Sequence, residues 1–125
     1  MVKDKLSELL ELIKKDLELS EWSKRLKVKD QHSWFLDEVE ELKAAMAKED
    51  WENYKEELGD ILWDLLKLIL IAEKEGKLDA KETINQIMEK IKKRKPHLSL
   101  GKKLTAEEEE KQWYQIKAQS KKWKL

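Results

Sequence analysis

The chain holds 125 residues, 43% of them charged, with 27 basic and 27 acidic residues, three glycines, one proline and no cysteine. That length supports one domain with a modest core, and the lack of cysteine excludes disulfides and thiolate metal sites. So few turn-forming residues point to a few long helices and argue against a β-sandwich.

No apolar run is long enough to span a membrane. The start at Met1-Val2-Lys3-Asp4-Lys5 lacks the apolar core of a signal peptide. A cytoplasmic protein is therefore expected. The charge is uneven: residues 1–89 carry 15 Lys/Arg and 23 Asp/Glu, and residues 90–125 carry 12 and 4. An acidic front and a basic back can bind each other, or share one ligand, with metal on the acids and phosphate on the bases. The basic tail alone would suit nucleic acid. Overall neutrality argues against that, so no nucleic-acid partner and no membrane is expected.

Residues 4–20 read as an amphipathic helix, with Leu6, Leu9, Leu10, Ile13 and Leu17 at three- and four-residue spacing. Ser20 breaks it. Glu21 to Asp30 is basic and irregular, and its Trp22 is expected to anchor a loop over the core; a flat surface beside a ligand base is the other reading. A second helix is expected over about 31–47, with Phe35, Val39, Leu42 and Met46 as its apolar stripe. Asp50 is a good N-cap for a third helix over about 51–75, closed by Gly76. The short link makes these two an antiparallel hairpin. A fourth helix starts near Leu78, carries Ile84, Ile87, Met88 and Ile91, and runs into the basic segment 90–97, where Pro96 stops it. His97 reads as a turn residue, and His32 as a surface one. Thr105-Ala106-Glu107-Glu108 is a capping-box pattern that opens a last helix over about 105–123, with Trp113, Ile116 and Trp123.

The third helix is the most apolar stretch, yet Glu57, Asp60 and Asp64 share one of its faces at i, i+3 and i+7. A buried carboxylate is costly unless a positive charge meets it. The only basic residue in the apolar run, Lys67, comes after the acids. On the preceding helix Glu38 and Glu41 stand at i, i+3, at a comparable height across the hairpin. With 27 acids in 125 residues, about six i,i+3 acidic pairs arise by chance. Position in a buried hairpin is what distinguishes these two. A hard cation, Mg²⁺ or Mn²⁺, suits carboxylates with no His or Cys beside them; a structural salt-bridge network is the competing reading. The run Lys90–Lys95 is either a charged helix end facing the dipole or a phosphate clamp.

At these residues the sequence resembles the MazG family of all-α nucleoside triphosphate pyrophosphohydrolases. The family pattern of Glu-x-x-Glu, a spacer and Glu-x-x-Asp is matched by Glu38-Val39-Glu40-Glu41 and Glu57-Leu58-Gly59-Asp60. Lys93-Arg94-Lys95-Pro96-His97 is similar to its basic Pro-His motif, and Glu107 through Ile116 resembles its C-terminal helix. Ser23 stands where an acid usually follows Trp22, Lys95 where a His is common, and Asp64 is an extra acid. The resemblance implies one domain over residues 1–125: an antiparallel bundle of about five helices, its core completed by a homodimer or a dimer of dimers. It implies metal held by Glu38, Glu41, Glu57 and Asp60, with Asp64 an additional candidate, and Glu38 taking a proton from the attacking water. Lys93 and Arg94 would meet the phosphates and Trp113 the base. The implied reaction is Mg²⁺-dependent conversion of NTP or dNTP to the monophosphate and pyrophosphate, in nucleotide-pool house-cleaning. Dedicated substrates such as dUTP, dCTP or phosphoribosyl-ATP, a non-catalytic helical assembly module, and a nucleic-acid binder built on residues 90–125 are the alternatives.

Overall fold

The first helix, α1 (Val2–Leu19), buries Ile13 completely, and Leu9, Leu10 and Leu17 lie half-buried on the same side. Ser20 ends it: its backbone is extended, and its hydroxyl accepts the Ser23 N–H at 3.1 Å, capping a second helix, α2 (Glu21–Lys24). The expected irregular stretch is thus a helical turn followed by the start of α3 (Val28–Ala47). That helix begins three residues before the expected Gln31, because the Asp30 carboxylate accepts the Lys27 N–H at 3.0 Å and satisfies an end group that would otherwise be free. The computed structural model describes residues 1–122, and the regular structure among them is helical. Trp123, expected in the last helix, lies outside the described residues.

Lys48-Glu49-Asp50 turns α3 into α4 (Trp51–Lys74), with Glu49 in the left-handed region (φ 53°) and Asp50 accepting the Asn53 N–H at 3.2 Å. The two helices pack along each other as the short link requires, and α1 packs against α4. Glu75, just past α4, accepts the Val28 N–H at 2.8 Å, so one end of the hairpin closes on the other. Gly76 takes φ 75°, which stops the helix at low steric cost.

Among the described residues the buried apolar set is small: Ile13, Ala45, Ile71 and Ala72. Much of the expected stripe of α3 stays open, including Val39 and Met46. On α4, Leu58 (45% exposed), Leu62 (38%) and Leu65 (40%) form a row at four- and three-residue spacing, with Trp51 one heptad before it.

The chain divides into two compact units, Met1–Ala80 and the residues from Lys81 onward. The second holds α5 (Ala80–Arg94, whose first residue belongs to the first unit), α6 (Pro96–Ser99) and α7 (Ala106–Lys122). Pro96 ends α5 and opens α6 at once, since its fixed φ suits a first helical turn and its missing N–H costs nothing there. The capping box forms: Glu108 N–H donates to Thr105 Oγ1 and Thr105 N–H to Glu108 Oε1, both at 3.1 Å. Among the described residues there are seven helices, two more than the expected five, because α2 and α6 are single turns, too short to show a periodic pattern.

Candidate active site

Seven-residue spacing builds the site. Gln31, Glu38 and Ala45 follow one another at i+7 on α3, and Glu57, Asp64 and Ile71 do so on α4. In an antiparallel hairpin such rows meet in layers. One layer pairs Glu38 with Glu57; two turns along, another pairs Gln31 with Asp64. In the first, Glu38, Glu41 and Glu57 bring one carboxylate oxygen each to within 4.8 Å of one another. Glu57 is buried, Glu38 half-buried and Glu41 exposed. The Oε2 atoms of Glu38 and Glu57 are buried with no hydrogen-bond partner. None of Glu38, Glu41, Glu57 and Asp60 is ion-paired to a basic side chain of α1–α4, so the salt-bridge reading finds no support within that unit.

Like charges this close cannot all ionise freely. A proton bridging to Glu57, then burial, then the charges of Glu41, Glu57 and Asp60, push the Glu38 carboxyl up to about 8. Orphaned buried oxygens, mutual repulsion and an all-carboxylate donor set are the chemistry a hard divalent cation satisfies. Asp60 stands outside the group of three, although its charge reaches Glu38. Asp64 is also outside it: its Oδ1 and its backbone carbonyl each accept from Gln31 Nε2 at 3.2 Å.

The sequence left Lys67 unexplained. Its side chain is buried, 2.8 Å from Asp16 Oδ2, and donates to Ser23 Oγ at 3.1 Å; Ser23 Oγ in turn donates to Asp16 at 2.7 Å. The only positive charge in the apolar run is therefore matched by α1 and α2, and the acids of α4 keep their own demand. Burial disfavours the Asp16 carboxylate, but the Lys67 and Ser23 hydrogen bonds and the Lys67 charge outweigh it and hold its pKa below the usual range. A lone Lys among Leu and Ile was the signal for this tie; its partners, 44 and 51 positions upstream, carried none. Trp22 does not anchor a core. It remains 65% exposed and packs its ring on Trp34, centroids 5.1 Å apart.

In the second unit the basic motif is fastened to α7. Lys95 pairs with Glu109 at 2.6 Å, and the Arg94 guanidinium lies 4.9 Å from the Trp113 ring centre. One face of Trp113 is thereby covered. The bond from Lys95, its charge and that of His97 hold Glu109 below the usual carboxylate range. His97 is a buried residue, 3.9 Å from Glu109, and not the turn residue expected, because Pro96 starts a helical turn that carries it inward. Lys93 is exposed, and so is His32, as expected.

The structure matches the crystal structure of a MazG-related protein from Thermotoga maritima with a TM-score of 0.82 at 32% identity, covering 90% of this chain and 98% of that one. The Escherichia coli K12 nucleoside triphosphate pyrophosphohydrolase is 33% identical over 63 residues, 50% of this chain and 24% of that protein. The Bacillus subtilis protein YabN is 34% identical over 77 residues, 62% of this chain and 16% of that protein. The matched regions thus span a quarter or less of these two longer proteins. Among the described residues no helix is long and apolar enough to cross a membrane. The family model of the MazG nucleotide pyrophosphohydrolase domain matches residues 27–99, from the start of α3 to the end of α6. The chain belongs to the MazG nucleotide pyrophosphohydrolase family, a family of hydrolases.

Proposed function

We propose that the chain hydrolyses nucleoside triphosphates to monophosphate and pyrophosphate, dependent on Mg²⁺ or Mn²⁺ held by Glu38, Glu41, Glu57 and Asp60. The observation that carries this reading is the meeting of Glu38, Glu41 and Glu57 across the hairpin with two buried oxygens unpartnered. A bound divalent ion supplies Lewis acidity toward phosphate oxygens and water. The chain's own residues do the rest. Glu38 takes the proton from the water that attacks the α-phosphorus. Lys93 and Arg94 offset the charge that develops on the leaving pyrophosphate. Trp113 stacks on the base.

The same reading includes a homodimer, or a dimer of dimers, formed along the row Trp51, Leu58, Leu62 and Leu65, which one chain leaves uncovered. Cleansing of nucleotide pools is the biological role that fits this activity. The test is product analysis with a panel of NTPs and dNTPs, with Mg²⁺ and with excess chelator. Metal-dependent monophosphate and pyrophosphate are expected. Release of a nucleoside diphosphate and single phosphate would reject the attack on the α-phosphorus.

A further inference from the structure

The second polar layer of the hairpin lies outside the three carboxylates that converge, yet it too joins buried polar groups across the two helices. Gln31 is completely buried. Its amide nitrogen donates to the Asp64 backbone carbonyl and to Asp64 Oδ1, both at 3.2 Å, while its own Oε1 has no partner. A backbone carbonyl only accepts, so it fixes which end of the Gln31 amide faces Asp64. Asp64 Oδ1 is thereby engaged, and its other oxygen, Oδ2, receives no hydrogen bond from a described residue. The side chain is only part-buried, open enough for a ligand to reach. Burial pushes the Asp64 carboxyl up, and Asp60 adds to this; the bond from Gln31 and the charge of Lys67 work against it. The Lys67 ammonium itself is bound to Asp16 and Ser23.

Position supplies the rest. The Gln31/Asp64 layer lies seven residues from the Glu38/Glu57 layer on each helix, about 10 Å along the axis. That is the reach from an α-phosphorus, past the sugar, to the far edge of a nucleobase; a sugar 3′-hydroxyl falls short of it. A carboxylate at such an edge accepts from an exocyclic amine and repels a carbonyl oxygen, as it does when carboxylates read cytosine in nucleic acids.

Resting on the function proposed above, we infer that Asp64, held in one orientation by Gln31, selects nucleotides whose base presents an exocyclic amine (cytosine or adenine) over those that present a carbonyl there (uracil or hypoxanthine). Asp64 touches the base; Gln31 is a positioning residue.

The experiment is kcat/KM for the pairs CTP and UTP, and ATP and ITP, with the native chain, Asp64→Asn and Gln31→Leu. The native chain should favour the amine of each pair by about tenfold or more, the worth of one hydrogen bond to a charged acceptor. In Asp64→Asn the Gln31 nitrogen still requires an oxygen, so the new amide NH₂ turns to where Oδ2 stood, and the preference should reverse toward UTP and ITP. Gln31→Leu should bring both ratios toward one, a change that a loss of fold alone would not produce. The Mg²⁺ half-saturation should be unchanged in Asp64→Asn; a large shift would make Asp64 an ion ligand and overturn the inference. Ratios that stay the same in Asp64→Asn while turnover persists would also overturn it. So would sensitivity confined to 3′-deoxy substrates, which would move the contact to the sugar. In those cases the hydrolase reading stands. No turnover of any nucleotide by the native chain would remove both.

Discussion

Glu38 and Glu57 face each other across the α3–α4 hairpin, each with a buried carboxylate oxygen that no donor meets. Within one chain this pair is a source of instability. A shared proton relieves it in part, and a cation in place of the missing donors would relieve it further.

Replacing Glu38 should therefore separate stability from activity. Glu38→Gln removes a charge from a crowded group and adds a donor for Glu57. The metal-free variant should melt no lower than the native chain, and Mg²⁺ should raise its melting temperature much less. Turnover should fall by at least about a hundredfold, as expected for loss of a positioned base. Thermal shift and product assays on the same preparation check both.

The pH dependence of metal-free stability has a defined sign. The Glu38 carboxyl is raised from 4.5 to about 8 in the fold. The native state thus holds a proton that the unfolded chain releases, and the stability this contributes is complete below pH 4.5 and lost as pH rises toward 8. In chelator the melting temperature should fall across that window, and Glu38→Gln should flatten the fall. Mg²⁺ affinity should run the other way, tightening as pH rises, because the ion competes with that proton.

Lys67 should be far more costly to lose than a surface lysine. Lys67→Ala strands Asp16 and opens a cavity beside Ser23, for a loss of about 3 kcal/mol. Asp16→Ala strands a buried ammonium at a similar cost. Lys67→Met combined with Asp16→Leu should recover much of the difference, since two apolar side chains carry no unpaired charge. Urea unfolding of the three variants measures this.

The open row on α4 predicts an association that one charge can break. Leu62→Glu should reduce the sedimentation mass toward that of a single chain at micromolar concentration. The isolated chains should keep their helical circular dichroism, because Leu62 is not part of the buried core. A native chain that sediments as a monomer would leave that row without its proposed partner.

The hairpin was readable from sequence because its signals are local. Asp50 and Gly76 cap or close α4, the link between the two helices is short, and the two acidic pairs lie at matching distances from one tight turn. The early start of α3 was not, since it depends on the Asp30 carboxylate reaching back to the Lys27 amide. The partners of Lys67, and the role of Gln31, were not legible for a different reason. Each is an ordinary polar residue in sequence, and its meaning comes from a partner more than 30 positions away. His97 was misread because Pro96 suggests a stop, whereas here the proline is also a start. The carboxylate group was legible as a type of chemistry; its membership was less so, because Asp60 and Asp64 share a helical face with Glu57 yet stand outside the three that converge.

The Lys67 tie also bears on where this protein can be cut. The match to the family model begins at residue 27, downstream of both Asp16 and Ser23. A fragment trimmed to the matched residues would keep the hairpin and all four candidate metal carboxylates, but would expose a lysine in the middle of an apolar helix surface. The first two helices are thus not an optional leader on a self-sufficient domain. They carry the counter-charge that lets α4 be apolar around Lys67, and an expression fragment meant to retain the hairpin's stability has to begin before Asp16.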